Sequence, residues 1–266
     1  MANRGPLLGV AALLAVLGVG TLVGGVVGVG PLAATTPPDQ VTDPGEMAAR
    51  SLQATLDAFS VHLDATLSGT VPGSLGGRPE TQIVLDGTTV SADLKPKDAK
   101  TQVSVTSPAL DFSLDTVTVW DAVWSRNGPD QPWSKASIGS VAASTGLDIN
   151  PLTLVDRVRV YLAEAGHRPT VRDVPCAGES GTCRHVVING GADAAALLGA
   201  LLSGGSASAL AAVHTTITVD ADSATLRPAR VVLDMTNDDG TVDLHLVIDA
   251  SKWDEPVRIE EPPSGS

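Results

Sequence analysis

Aromatic residues are scarce in this chain of 266 residues, which contains four Trp, two Phe and one Tyr. So few rings provide no extended platform on which nucleic-acid bases could stack. Basic residues are also few, because 17 Lys and Arg stand against 30 Asp and Glu and leave a formal net charge of -13. Such a surface repels a phosphate backbone, which excludes nucleic acid as a partner. Ala, Val, Leu and Gly are abundant, so the sequence predicts that any ligand surface is aliphatic.

The N-terminal segment lacks charge altogether. No charged residue lies between Arg4 and Asp39, and residues 7–30 are almost entirely apolar. A helix over residues 7–30 would rise about 36 Å, and the hydrocarbon core of a bilayer is roughly 30 Å thick. Because Arg4 is the only flanking cation, the positive-inside rule places the N-terminus in the cytoplasm and the rest of the chain outside. Residues 1–34 are therefore predicted to be a transmembrane anchor or, if cleaved, a signal sequence that leaves the protein secreted.

The chain has only two cysteines, Cys176 and Cys183, separated by six residues that resemble a hairpin loop. Outside the cytoplasm such a pair is expected to form a disulfide. A redox pair would favour the tighter C-x-x-C spacing, and a metal site would have only His185 as a third ligand nearby. The sequence thus predicts a structural disulfide and no metal.

Composition divides the part of the chain outside the membrane into three regions. Residues 35–46 are rich in Pro, Thr and Asp and predict a flexible tether. Residues 47–262 form the predicted folded domain, and residues 263–266 form a polar tail. Apolar residues at helical spacing predict a first short helix from Met47 to Ala58.

Alternating apolar and polar residues then predict an antiparallel meander of roughly eleven short strands. The strands are expected at residues 61–68, 81–86, 88–94, 101–106, 110–115, 117–125, 133–136, 185–188, 215–220, 229–235 and 242–249. Helical spacing returns over residues 151–166 and 194–213. A sheet of this size curls. The predicted fold class is therefore α+β, a curled antiparallel half-barrel with helices covering its concave face.

Small side chains dominate residues 194–213, so these helices fill the space inside the curled sheet poorly. An empty apolar cavity costs about 24 cal/mol per Å³, which favours occupation by an apolar ligand. The residues predicted to line this cavity are Leu63, Leu67, Ile83, Leu85, Val103, Val105, Leu110, Phe112, Leu114, Leu154, Val158, Leu162, Leu197, Leu198, Leu201 and Leu202. The alternative is that the same side chains fill an ordinary core.

The order of the elements, a helix start at residues 146–151 and the closing segment Lys252–Val257 together resemble a known group. This group is the LppX and LprAFG type of actinobacterial envelope lipoproteins, which share the LolA-like fold. The similarity spans residues 48–262. It implies a hydrophobic pocket that shields the acyl chains of envelope lipids or glycolipids on their way from the cytoplasmic membrane. The chain departs from the group because no cysteine near the mature N-terminus could carry a lipid.

Catalytic motifs are not apparent. The five histidines are scattered, and neither H-E-x-x-H nor G-x-S-x-G occurs. Trp120 and Trp124 have an even spacing on one predicted strand and are expected to pack across strands. The alternative is that they line the mouth of a pocket together with Trp133. The sequence therefore predicts a non-enzymatic protein without cofactors, which binds envelope lipids and in the fuller hypothesis transports them. The alternative is an envelope sensor or protein-interaction module on the same fold.

Overall fold

A computed structural model describes residues 36–72, 81–137, 171–176, 181–190 and 213–263. The predicted membrane segment and the helices predicted at residues 151–166 and 194–213 lie outside this part of the chain. Within it, no helix is both long enough and apolar enough to cross a bilayer.

The described residues form one α-helix, α1 (Pro44–Asp57), and twelve strands. The strands are β1 (Val61–Pro72), β2 (Gln82–Val84), β3 (Thr88–Lys95), β4 (Lys100–Ser107), β5 (Phe112–Val119), β6 (Ala122–Arg126), β7 (Ser134–Ser137), β8 (Arg172–Pro175), β9 (Thr182–Gly190), β10 (Val213–Asp222), β11 (Pro228–Asn237) and β12 (Asp243–Ser251). They make one sheet in the order β7-β6-β5-β4-β3-β1-β12-β11-β10-β9-β8, with β2 also paired to β1. All the pairings are antiparallel, and the outer strands β7 and β8 do not pair with each other, so the described sheet is open, as predicted.

Helix α1 starts three residues earlier than the sequence predicts. Asp43 caps it, because its Oδ1 accepts a hydrogen bond of 2.7 Å from the backbone N–H of Glu46, and Pro44 occupies the first turn. This combination of an acidic N-cap and an early proline is a common helix start. Met47 is fully buried in a cluster with side chains of β9 and β10, so α1 covers that part of the sheet.

Part of the predicted tether is packed against the sheet. Val41 is fully buried, and its carbonyl oxygen accepts a hydrogen bond from the Arg184 guanidinium on β9. Thr36 is held as well, since its carbonyl accepts a 2.7 Å hydrogen bond from Arg50 on α1. The folded part of the chain therefore includes residues that the composition assigns to the tether.

Strand pairing sorts the side chains into two faces of opposite character, because successive residues of a strand point to opposite sides. On the apolar face, one row of paired residues crosses eight strands: Val186, Val219, Val231, Ile248, Ala65, Val90, Val105 and Leu114. On the polar face, the adjacent row crosses ten strands: Arg172, His185, Asp220, Arg230, Asp249, Asp64, Ser91, Ser104, Asp115 and Arg126. The sheet thus has one aliphatic side and one charged side.

Cross-strand ion pairs join neighbours in the polar row. The Arg230 guanidinium binds both carboxylate oxygens of Asp249, at 2.6 and 3.0 Å, and this hydrogen bonding raises the pKa of Arg230. His185 Nδ1 lies 2.6 Å from Asp220 Oδ1. Charged pairs at opposed positions stabilise a sheet by a few tenths to about 1 kcal/mol each.

The prediction that Trp120 and Trp124 share one strand is wrong. Val119 pairs with Ala122, so Trp120 and the residue after it form the turn between β5 and β6. Trp120 has a left-handed backbone with φ of 57° and is 63% exposed, whereas Trp124 is 7% exposed. Trp124 packs instead with Val117 and with Ile259 of the C-terminal segment, which covers this end of the polar face.

Candidate functional site

The apolar face brings together the nine sheet residues that the sequence predicts as a cavity lining. Seven are buried and two are partly buried, and all pack in one cluster: Leu63, Leu67, Ile83, Leu85, Val103, Val105 and Leu114, with Leu110 and Phe112 beside them. The seven predicted helix residues Leu154, Val158, Leu162, Leu197, Leu198, Leu201 and Leu202 lie outside the described residues. The enclosure of a cavity by both sets stays a prediction.

The same cluster contains residues that were not included in the predicted lining. They come from β10, β11 and β12 and include Val213, Leu233, Met235, Leu244 and Leu246. The signal was present, because each of these strands alternates apolar and polar residues in the same way as β1. The candidate site therefore extends across the sheet rather than over its first five strands.

Arg184 is a charged residue on the apolar face that sequence reasoning missed. It is only 6% exposed. One of its terminal nitrogens donates to Asp173 Oδ1 at 2.7 Å, and the other donates to the Val41 carbonyl, but its buried Nε has no hydrogen-bond partner among the described residues. A guanidinium N–H in this state can donate to an anionic oxygen. Arg184 lies two residues before Val186 on β9 and therefore on the same, apolar face. The sequence signal for it is a charged residue at a position where the alternation predicts an apolar one.

Histidines of the polar face lie within hydrogen-bond distance of neighbouring aspartates. His62 Nδ1 lies 2.7 Å from Asp93 Oδ1, and its Nε2 lies 3.2 Å from Asp64 Oδ2. His245 Nδ1 lies 2.6 Å from Asp234 Oδ1 on the adjacent strand. Their place on the wet side of the strands agrees with the sequence. In the described ranges, no three His, Cys, Asp or Glu side chains are grouped so that they could hold a metal ion.

The disulfide predicted between Cys176 and Cys183 is present, with a Cα–Cα distance of 5.0 Å. Cys176 directly follows β8 and Cys183 is the second residue of β9, so the bond closes the end of this hairpin. Next to it, the Cys176 N–H donates to the Gly181 carbonyl at 3.1 Å. Cys183 is fully buried, which identifies the bond as part of the packed structure.

The closing segment after β12, Lys252–Val257, is hydrogen-bonded to the residues just before β1. Asp254 Oδ1 accepts a 2.7 Å hydrogen bond from the Phe59 N–H, and its other oxygen pairs with Arg227. The Asp254 N–H donates to the Ser60 carbonyl at 2.9 Å, while Trp253 packs against the main cluster. The hydrogen bond from Phe59, followed by that from Arg227, lowers the pKa of Asp254.

Replacement of Asp254 by Asn should lower the free energy of unfolding at neutral pH by about 1 kcal/mol, since charge-assisted hydrogen bonds at exposed sites contribute little more. Because the folded-state pKa is lowered, this contribution is present above the ordinary aspartate pKa and is lost as the pH falls through the lowered value. The difference between Asp254→Asn and the parent chain should therefore shrink as the pH falls below about 4. Urea unfolding across this pH range measures it.

Glu255→Gln is the matched control, because it removes the same charge from the next residue without the bonds to Phe59 and Arg227. Asn also tolerates the left-handed backbone of Asp254, whose φ is 60°. Equal losses in the two variants, or a loss that does not depend on pH, would contradict the role given to the Asp254 carboxylate.

The fold and site define a one-sided, open antiparallel sheet with a helix on its apolar side. No protein-family model matches the chain, and no curated protein matches its sequence. Among solved structures, the Mycobacterium tuberculosis lipoprotein LppX matches 82% of this chain and 100% of its own, at 16% identity and a TM-score of 0.49.

A LolA superfamily protein from Nitrosomonas europaea matches 84% of this chain and 96% of its own, at 8% identity and a TM-score of 0.27. The Pseudomonas aeruginosa MucA/MucB complex matches 78% of this chain and 56% of its own, at 11% identity and a TM-score of 0.34. The chain thus resembles LppX and LolA superfamily proteins, diffusely and at low identity.

Proposed function

We propose that this protein binds the acyl chains of envelope lipids or glycolipids on the apolar face of its sheet, outside the cytoplasmic membrane and without catalysis. The observation that carries this proposal is the continuous aliphatic row from Val186 on β9 to Leu114 on β5. It lies opposite a row made entirely of polar residues. The resemblance stated from the sequence implies the same class of ligand.

The dimensions of the aliphatic row suit a lipid tail. Neighbouring strands lie about 4.8 Å apart, so a row over eight strands extends about 33 Å along the sheet. A tail in one leaflet spans about 15 Å, half of the hydrocarbon core. Each methylene that leaves water gains about 0.8 kcal/mol. A tail lying along part of this row would therefore be held by its methylenes alone, without aromatic side chains.

Arg184 offers a position for the polar end of such a ligand. It lies near the start of β9, at one edge of the apolar face, and no described residue accepts a hydrogen bond from its Nε. An anionic headgroup with its tail along the aliphatic row could accept a hydrogen bond from this nitrogen. We propose this orientation of the ligand on that basis.

Two adjacent residues of β3 provide a matched test of acyl binding. Ala92 is buried on the apolar face, and Ser91 is exposed on the polar face. If the apolar face holds a ligand, Ala92→Trp should fill its place and reduce uptake of a fluorescent fatty acid at least about tenfold, because blocking two or more methylenes forfeits that much affinity. Ser91→Trp should leave uptake unchanged. Native mass spectrometry of the gently purified parent chain should show a bound acyl species.

The melting temperatures of the same variants separate a ligand site from a filled core. Tryptophan in a fully packed core is destabilising by about 1–3 kcal/mol or more. The proposal would be refuted if the Ala92→Trp variant unfolds and the parent chain neither carries a lipid nor takes one up. The interaction-module alternative predicts a stable protein partner that crosslinks equally well to the parent and to a folded Ala92→Trp variant.

A further inference from the structure

Four connections of the chain meet at one edge of the sheet, which we call the Trp120 edge. They are the link between α1 and β1, the turn between β3 and β4, the turn between β5 and β6, and the segment after β12. Antiparallel pairing places them together, and two hydrogen bonds join them directly. The Trp120 N–H donates to the Ala99 carbonyl at 3.1 Å, and the Asp254 N–H donates to the Ser60 carbonyl at 2.9 Å.

Two aromatic side chains project into solvent at this edge. Trp120 is 63% exposed and Phe59 is 48% exposed, and among the described residues Val84 is the one other large apolar side chain that is exposed. Trp120 sits at the tip of the turn between β5 and β6, beyond their last pair, Val119 and Ala122. Tryptophan in such a position suits the interface between a membrane and water, because its ring is apolar and its N–H is polar.

Four of the five lysines of the chain lie at the same edge: Lys95, Lys97, Lys100 and Lys252. Lys95 pairs with Lys100 across the strands, and its ammonium lies 4.7 Å from the centre of the Phe59 ring. Within the residues nearest the four connections, 57–60, 95–100, 120–121 and 252–255, five are acidic: Asp57, Asp98, Asp121, Asp254 and Glu255. Asp98 is paired with Lys95 at 2.6 Å, and Asp254 is paired with Arg227.

The Trp120 edge is therefore nearly neutral in a chain whose net charge is -13. The excess negative charge lies on the rest of the molecule. Near an anionic surface this uneven distribution orients the protein, since the nearly neutral edge is repelled least and its lysines are attracted.

The described chain also starts close to this edge. Val41 packs with Leu226, which lies in the turn between β10 and β11, and it accepts a hydrogen bond from Arg184 near the start of β9. Both positions belong to the same side of the sheet as the Trp120 edge. Val41 is only seven residues along the chain from residue 34, the end of the predicted membrane segment. Fully extended, they reach about 25 Å.

From these observations we propose that the Trp120 edge docks on the surface of a phospholipid membrane that contains anionic lipids. Trp120 and Phe59 enter the interface, and Lys97, Lys100 and Lys252 contact the headgroups. This inference rests on the predicted membrane segment at residues 1–34, which would bring the edge within reach of the bilayer.

The test uses the full chain reconstituted in vesicles of phosphatidylcholine with phosphatidylglycerol, compared with phosphatidylcholine alone. Trp120→Cys carries an environment-sensitive fluorophore, and Ala109→Cys in the turn between β4 and β5 is the matched control at the opposite edge. The described native cysteines are both in the disulfide, so labelling is specific. Spin-labelled lipids should quench the fluorophore at position 120 and leave the one at position 109 unaffected.

The lysine contribution is measured by a Lys97→Gln/Lys100→Gln variant in the same vesicles. Each lysine close to an anionic surface contributes about fivefold, so the double variant should weaken docking about 25-fold. It should have little effect in phosphatidylcholine alone, where no anionic headgroup attracts the lysines.

Equal quenching at positions 120 and 109 in vesicles that carry the chain would overturn the docking proposal and leave the anchor intact. A chain that does not float with the vesicles would overturn both the anchor and the docking. The bound acyl species sought by native mass spectrometry is an independent readout, so acyl binding can hold or fail whichever result the vesicles give.

Discussion

Gly69→Ala is expected to lower the free energy of unfolding by about 3–5 kcal/mol, because backbone strain and a steric clash add at this position. Gly69 has φ of 108°, which side chains rarely tolerate. A Cβ atom there would lie 1.9 Å from the Asp243 carbonyl oxygen, so the backbone of β1 or β12 would have to move.

The position of Gly69 explains why the strain cannot be relieved locally. Strand β1 pairs with β3 up to Leu67 and with β2 from Thr70 onward, and Gly69 lies between the two partners. Its N–H donates to Asp86 Oδ1 at 2.8 Å, and its carbonyl accepts from the Leu85 N–H at 2.9 Å. A shift at Gly69 therefore disturbs β1 in the middle of the sheet.

Gly240→Ala is the matched control. Gly240 also has a positive φ, 69°, but apart from its chain neighbours no atom of the described residues lies within 4 Å of the position that its Cβ would take. Only the backbone strain remains, about 1 kcal/mol. Urea unfolding of the two variants separates the backbone strain from the steric clash. Equal losses in the free energy of unfolding would show that the contact with Asp243 contributes nothing.

Loss of the disulfide should be the second large effect. Closing a loop of this size removes chain entropy from the unfolded state that corresponds to about 2.5 kcal/mol. The Cys176→Ser/Cys183→Ser variant should lose at least this amount, because Cys183 is fully buried and a serine hydroxyl there lacks the packing of the bond. Thermal and urea unfolding measure the loss.

Reduced parent protein is the control for this variant, since it keeps both sulfur atoms and lacks only the bond. A similar stability of the reduced and serine forms would assign the effect to the cross-link. If reduction changes nothing and serine substitution is costly, then burial of Cys183, rather than the disulfide, stabilises the hairpin.

The alternation of residue types was sufficient to predict much of the sheet. The alternation within β3 and β4 places Val90 and Val105 on the apolar side, and strand pairing places them next to each other. The alternation specifies the strand register, because a shift of one residue in the pairing would move every apolar side chain of a strand into water. It specifies which face a residue occupies, and the nine sheet residues of the candidate site followed from it.

Other features depended on contacts that periodicity does not encode. The turn at Trp120 interrupts residues 117–124, which are apolar or aromatic apart from Thr118 and Asp121, and its left-handed backbone is visible only in the structure. Arg184 breaks the alternation because distant groups, Val41 and Asp173, satisfy its charge. Packing of residues 36–43 likewise rests on Val41 meeting β9 and β10, which the composition of the segment does not indicate.

The open ends of the sheet have a consequence for self-association. An unpaired strand edge is a template for pairing with another chain, and proteins avoid this with short edge strands, charge and proline. Here β7 and β8 each have four residues. Lys135 lies in β7, and β8 carries Arg172, Asp173 and Pro175. Both ends of the described sheet thus discourage growth by addition of a strand from a neighbouring molecule.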